Sequence, residues 1–154
     1  MTLREGQAPS YLRQEIFSRS ADAESLCLKI RSTLRANDLG VACFAVELLA
    51  RECLANAVNH GNRNDADRAI VLQLWVGRQW IRLRVSDQGA GFAWRKARRR
   101  GMDAAADSGR GLHLYALYAE RVQFNRCGNQ VTLWIRKKNR TRKGRMQHGQ
   151  PKSC

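Results

Sequence analysis

Residues 47–61 read Glu47-Leu-Leu-Ala-Arg-Glu52-Cys-Leu-Ala-Asn56-Ala-Val-Asn-His60-Gly61. The spacing predicts a helix over about Val41 to His60 with Val46, Leu49, Cys53 and Ala57 as its apolar stripe. Each residue advances about 100° around a helix axis, so Glu52 and Asn56 stand roughly 40° apart on one face. Asn56 falls at the edge of the stripe and Glu52 just beyond it. A carboxylate and an amide at the rim of a core suit a metal ion or a polar substrate. Gly61 is expected to stop the helix as a left-handed C-terminal residue.

The flanking sequence supplies a second helix and a sheet. Residues 1–12 lack periodicity, and Gln14 to Ser18 reads as a short first strand. Ser20-Ala-Asp-Ala-Glu24 has a small polar residue and acids where a helix begins, with Leu26, Ile30 and Leu34 as its inner face and a stop near Asp38 and Gly40. After a polar loop from Asn62 to Arg68, Ala69 to Val76 is rich in branched and aromatic residues. Trp80 to Ser86 then alternates Ile81, Leu83 and Val85 inward against Arg82 and Arg84 outward, across a hairpin at Gly77-Arg78-Gln79. Residues 92–108 read as a long loop, of a length that is usually functional or disordered. A helix from Leu112 to Glu120, a strand Val122 to Phe124, a turn at Gly128-Asn129 and a strand Val131 to Arg136 complete the order. Helices and mostly antiparallel strands in this succession predict an α+β fold, a two-layer α/β sandwich.

At 154 residues the chain is one domain by length. No apolar run approaches the roughly 20 residues that span a bilayer, and the start Met1-Thr2-Leu3-Arg4-Glu5 has no signal-peptide pattern, so a cytoplasmic location is expected. Five scattered cysteines without a Cys-x-x-Cys pair argue against a zinc site and a disulfide framework. The net charge of +15 is concentrated: residues 136–154 hold eight Lys or Arg and no acid, and residues 95–100 hold five more, leaving +2 elsewhere. Such segments favour anionic partners such as nucleotide phosphates, acidic proteins or nucleic acid.

Two glycine motifs follow the helix pair. Asp87-Gln-Gly89-Ala-Gly91-Phe92 comes directly after a strand. A carboxylate fixed there can accept from an exocyclic amine, while the glycines let backbone approach a flat ring. Ser108-Gly109-Arg110-Gly111-Leu112 opens a helix. Glycines at that point expose N–H groups and the positive end of the helix dipole to a phosphate, and Arg110 can add a charge-assisted contact. Each glycine motif alone is equally an ordinary turn or hinge, and Glu52 with Asn56 alone is more often a solvated helix face. Their joint occurrence in one order within about 65 residues is what carries information.

The series Glu52-x-x-x-Asn56-Ala57-x-x-His60-Gly61, Asp87-x-Gly89-x-Gly91-Phe92 and Gly109-x-Gly111-Leu112 resembles the ATP-binding domain of the GHKL superfamily, which includes gyrase and the histidine kinases. Within it, the Asn-Ala-x-x-His-Gly ending is most similar to the anti-sigma factor serine/threonine kinases. The resemblance covers residues 14–136, with 1–13 as a flexible N-terminus and 137–154 as a basic, disordered tail. It implies the Bergerat-type fold, helices on one face of a mixed, mostly antiparallel sheet, with Mg-ATP held between the helices and a flexible lid. By the same resemblance Asn56 coordinates Mg²⁺, Glu52 is the general base, and Asp87 binds the adenine amino group. Gly89 and Gly91 pack near the adenine, Gly109 and Gly111 hold phosphate oxygens, and Thr132 lies near the adenine. Relatives often carry another glycine or a small residue after Gly111-Leu112, where this chain has His113, a ring expected to alter lid packing or phosphate access.

The implied activity is that of an anti-sigma regulatory kinase. It would bind a sigma factor, phosphorylate a serine on an anti-sigma factor antagonist, and form a homodimer. Two alternatives stay open at this level: an ATP-binding regulatory interaction module without kinase activity (or a histidine-kinase-like ATPase domain), and nucleic-acid binding through the basic tail. That tail has no aromatic residue for base stacking.

Overall fold

The computed structural model describes residues 10–37, 39, 41–99 and 110–137. The expected flexible N-terminus through residue 9, the helix stop expected at positions 38 and 40, residues 100–108 of the expected loop together with residue 109, and the tail from residue 138 lie outside these. Five strands form one sheet in the order β1-β2-β3-β5-β4, with β1 at Ser10–Phe17, β2 at Ala69–Val76, β3 at Trp80–Asp87, β4 at Arg121–Phe124 and β5 at Gln130–Arg136. Every pairing among the described residues is antiparallel, so the sheet here is not mixed. The helices are α1 at Ser20–Ala36, α2 at Val41–Asn56, α3 at Trp94–Arg99 and α4 at Arg110–Tyr118. No helix among the described residues is long and apolar enough to cross a membrane.

The two-layer sandwich is present, and its core is built by strict alternation. Ile70, Leu72, Ile81, Leu83 and Leu133 point into the helix layer and are fully buried, meeting Ile30, Leu34, Val46 and Leu49 from α1 and α2. Strand residues alternate sides with period two, so the same β-strands turn Trp75, Arg82, Arg84 and Trp134 to the opposite, uncovered face. At roughly 25 cal/mol per Å², burying each Leu or Ile contributes about 1.5–3 kcal/mol. Two ion pairs, Arg31–Glu47 at 2.9 Å and a close Arg51–Glu24 contact, tie α1 to α2. They are surface pairs and contribute little by comparison.

Several expectations need correction. Strand β1 begins at Ser10 rather than Gln14, because its outward positions hold Tyr11 and Phe17 and its inward positions include Gln14, which blurs the alternation. Ser20 is the first residue of α1 and not its cap; Arg19 takes the cap position with extended backbone and no side-chain hydrogen bond. The presumed loop after Phe92 contains the short helix α3.

Gly61 is not left-handed. Helix α2 widens after Asn56 into a π turn, Ala57–Gly61, and the positive φ angles fall on Arg63 (54°) and Asn64 (59°) instead. What position 61 demands is space: a Cβ there would meet the Asp87 carboxylate, its Oδ1 at 2.7 Å. Such π turns often occur at functional sites, and this one brings the helix end onto the end of β3.

Candidate functional site

A cleft of about 310 Å³ opens between the end of α2, the start of α4 and the β3 and β4–β5 ends of the sheet. Of the residues singled out from sequence, Asn56, Asp87, Gly91 and Gly111 line it, together with His60, Gly61 and Phe92.

Asp87 ends β3 with its side chain half-buried. Its Oδ1 accepts the Gly89 N–H at 2.8 Å, and its own N–H donates to the Asn129 carbonyl at 3.0 Å. Burial holds the carboxyl above the ordinary aspartate range, opposed by the Gly89 N–H and by the charge of Arg68. A carboxylate so placed gains by accepting from an N–H of a ligand, which favours its charged form. Gly89 is buried against Gly61, so close that a Cβ would overlap the Gly61 backbone and come within 2.9 Å of Asp87 Oδ1. Gly89 therefore shapes the Asp87 turn from behind, and Gly91 is the glycine that faces the cleft.

Asn56 lies at the other end. Its Nδ2 donates to the Tyr115 hydroxyl at 3.1 Å and to Glu52 Oε1 at 3.4 Å. Both donor hydrogens are thus committed to protein, and Asn56 Oδ1 accepts no hydrogen bond among the described residues. An amide oxygen presented this way fits a hard cation such as Mg²⁺, which takes oxygen ligands and keeps several waters.

Glu52 is one turn back along α2 and does not itself line the cleft, but it converges with Gly111: a Cβ on Gly111 would lie 2.7 Å from Asn56 Nδ2 and 2.9 Å from Glu52 Oε1. The glycine is what lets the start of α4 approach the Glu–Asn pair. Arg110 opens the same helix, and Gly109 lies outside the described residues.

Thr132 departs from its expected place. It is buried on the opposite face of the sheet, where its Oγ1 accepts from Arg84 Nε at 3.2 Å. Its register with Arg84 and Gln123 puts it out of phase with Val131, which does line the cleft. His113 is exposed and also outside the lining, so its ring does not narrow the cleft.

Three features went unread in the sequence. Tyr115 is buried and holds Asn56; it stands four residues after Gly111 on α4, a spacing that could have revealed it. Desolvation pushes its hydroxyl well above the ordinary tyrosine value and pushes the neighbouring Cys53 thiol up to about 12, so both stay neutral and neither is a nucleophile.

Asn62, fully buried, clamps three segments. It donates to Ser18 Oγ at 2.6 Å and to the Ala69 carbonyl at 3.0 Å, and accepts from the Gln88 N–H at 2.9 Å. Finally, Phe92 meets Phe124 edge-on at 5.3 Å, with Trp94 stacked behind at 5.6 Å, giving the cleft an aromatic wall.

The cleft thus joins an aromatic wall and a carboxylate at one end to a metal-compatible amide and a helix start at the other, a layout matching a purine nucleotide with its phosphates. The family model of the histidine kinase-like ATPase domain matches residues 17–137. A search of curated proteins finds no match to the chain. The chain therefore belongs to the histidine kinase-like ATPase domain family, an ATP-binding domain of the GHKL type.

Proposed function

We propose that this histidine kinase-like ATPase domain works as an anti-sigma regulatory serine/threonine kinase. It binds Mg-ATP in the cleft, engages a sigma factor as a cytoplasmic homodimer, and phosphorylates a serine on an anti-sigma factor antagonist. The observation that carries the reading is the convergence of Glu52, Asn56 and Gly111, with Asp87 at the far end of the same cleft.

Each group has a chemical task. Asp87 accepts the adenine amino group through the oxygen that Gly89 leaves free. Phe92 and Phe124 face the apolar ring, and Gly91 leaves room beside it. The N–H groups at the start of α4 point toward phosphate oxygens, which Arg110 and the basic stretch beginning at Arg95 help to neutralise. Mg²⁺, held through Asn56 Oδ1, would supply charge neutralisation across the phosphates.

Glu52 takes the proton from the attacking serine hydroxyl. The new bond runs from serine oxygen to the γ-phosphorus, the bond to the β-phosphate oxygen breaks, and ADP leaves. Positioning and electrostatics do most of the work in such transfers.

The test is transfer of labelled γ-phosphate to a partner co-purified from the native cell. Glu52→Ala is expected to bind ATP as before and lose transfer by at least a hundredfold. Undiminished transfer in that variant would remove Glu52 as the base. ATP binding with no transfer by the unaltered chain would favour a non-kinase ATP-binding regulatory module.

A further inference from the structure

The face of the sheet turned away from the helices carries an ordered array of rings and arginines that the nucleotide cleft does not use. The strand registers place Tyr11, Trp75, Arg82, Trp134 and Arg121 opposite one another in a single row across all five strands. At about 4.8 Å between strands, that row is roughly 19 Å long. Its members touch: Tyr11 and Trp75 rings are 5.1 Å apart, the Arg82 guanidinium lies 3.9 Å over Trp75, and that of Arg121 lies 4.7 Å over Trp134. At one end Arg136 sits 5.5 Å over Trp80, which remains 38% exposed, while Tyr11 at the edge is 52% exposed.

The charge of this face is not balanced. Among the described residues it bears Arg13, Arg82, Arg84, Arg121 and Arg136 but only one acid, Glu15, which pairs with Arg13 at 3.5 Å. The other four arginines make no ion pair among the described residues. Arg82 Nε is moreover buried without any hydrogen-bond partner. The guanidinium groups of Arg82, Arg84, Arg121 and Arg136 lie over rings rather than against carboxylates, which leaves their charge for something outside the described residues. From the end of this face, at Arg136, the sequence runs on through Lys137 into residues 138–154, which hold six further Lys or Arg and no acid.

A second copy of the chain is a poor occupant, since a symmetric contact would set arginines against arginines. An acidic peptide would answer the charge but leave the rings without a role. A flexible phosphate backbone with unstacked bases answers both. Aromatic rings and arginine planes on an open sheet are the surface that such bases stack on, and cations between them track the phosphates.

We propose that the open face of the sheet, centred on the Tyr11–Trp75–Arg82–Trp134–Arg121 row, binds a single-stranded nucleic acid. The tail alone lacks rings for base stacking; the sheet face at its root supplies them. The inference is independent of the kinase reading, because the face lies on the opposite side of the sheet from the cleft.

The experiment titrates the full chain with fluorescently labelled single strands of about 16 nucleotides, following anisotropy and tryptophan emission at several salt concentrations. Binding is expected with quenching of tryptophan, unchanged by saturating Mg-ATP. Tyr11→Ala and Trp80→Ala, both at exposed rings, should each weaken it about tenfold. Arg121→Gln should lower the salt slope by about one. Deleting residues 138–154 should weaken binding but preserve the quench. The proposal is overturned if the unaltered chain binds without quenching, or if binding ignores both ring substitutions and vanishes with the tail. It is also overturned if polyglutamate displaces the strand and depends equally on Tyr11 and Trp80, or if sedimentation shows a dimer that Arg82→Glu dissolves. ATP affinity, measured on the same variants, should stay constant and so keeps this outcome separate from the fate of the kinase proposal.

Discussion

The two faces of this one sheet use the same strands for opposite purposes. On β3, Ile81, Leu83 and Val85 are buried in the core, while Arg82 and Arg84, one residue away, lie against Trp75 on the uncovered side. On the helix side, the polar groups at the sheet end are paired within the protein: Asp87 with Gly89, Asn62 with three segments, Asn56 with Tyr115 and Glu52. On the open side Arg82, Arg84, Arg121 and Arg136 make no ion pair among the described residues. A buried face must satisfy each polar group it encloses. An open face can hold unneutralised charge in reserve, because water screens it until a partner arrives.

The sharpest challenge to this contrast is a pair of substitutions at adjacent residues. Leu83→Ala should cost about 3 kcal/mol in urea unfolding, as lost transfer energy plus a cavity. Arg82→Ala, next to it on the other face, should cost under about 1 kcal/mol, the value of a surface cation–π contact. Equal losses would mean that the ladder on the open face is chiefly a structural cover.

Asp87→Asn tests the cleft side. ATP binding, measured by calorimetry, should fall about a hundredfold. Stability at neutral pH should hold or rise, because burial raises the carboxyl's pKa in the folded state. The sign follows from linkage: the native state then binds the proton more tightly than the unfolded state. The resulting penalty develops as pH rises from the ordinary aspartate range through the raised folded value, and persists above it. A variant that loses stability at neutral pH but not in acid would contradict this account.

A smaller effect is expected from Tyr115→Phe, which removes the hydroxyl that fixes the Asn56 amide. Nucleotide affinity in the presence of Mg²⁺ should drop about tenfold, and affinity without Mg²⁺ should change little. Equal losses in both conditions would assign Tyr115 to packing alone.

Much of the fold was readable in the chain. The β2–β3 hairpin shows period-two alternation bounded by Gly77-Arg78-Gln79, and the structure follows it almost residue for residue. Strand β1 was harder, since an edge strand with Tyr11 and Phe17 outward and Gln14 inward does not separate apolar from polar sides. The site was legible where a motif is local. Asp87 and Gly91, and Asn56 with Gly111, line the cleft, while Gly89 packs behind the Asp87 turn. Thr132 was misplaced because the face of a strand is set by register, and a one-residue shift moves a side chain to the other side.

Sequence alone determined most of the elements, the inner faces of α1, α2, β2 and β3, and part of the chemical vocabulary of the cleft. These depend on periodicity and on short motifs, which a chain carries without reference to distant residues. Tertiary structure decided the rest. Asn56 is held by a tyrosine 59 positions away, Asn62 reaches 44 positions back to Ser18, and Gly61 serves close approach to Asp87 rather than a left-handed cap. The row of rings and arginines likewise draws on all five strands. Contacts of such separation exist only once strand order and register are fixed, and no local pattern encodes them.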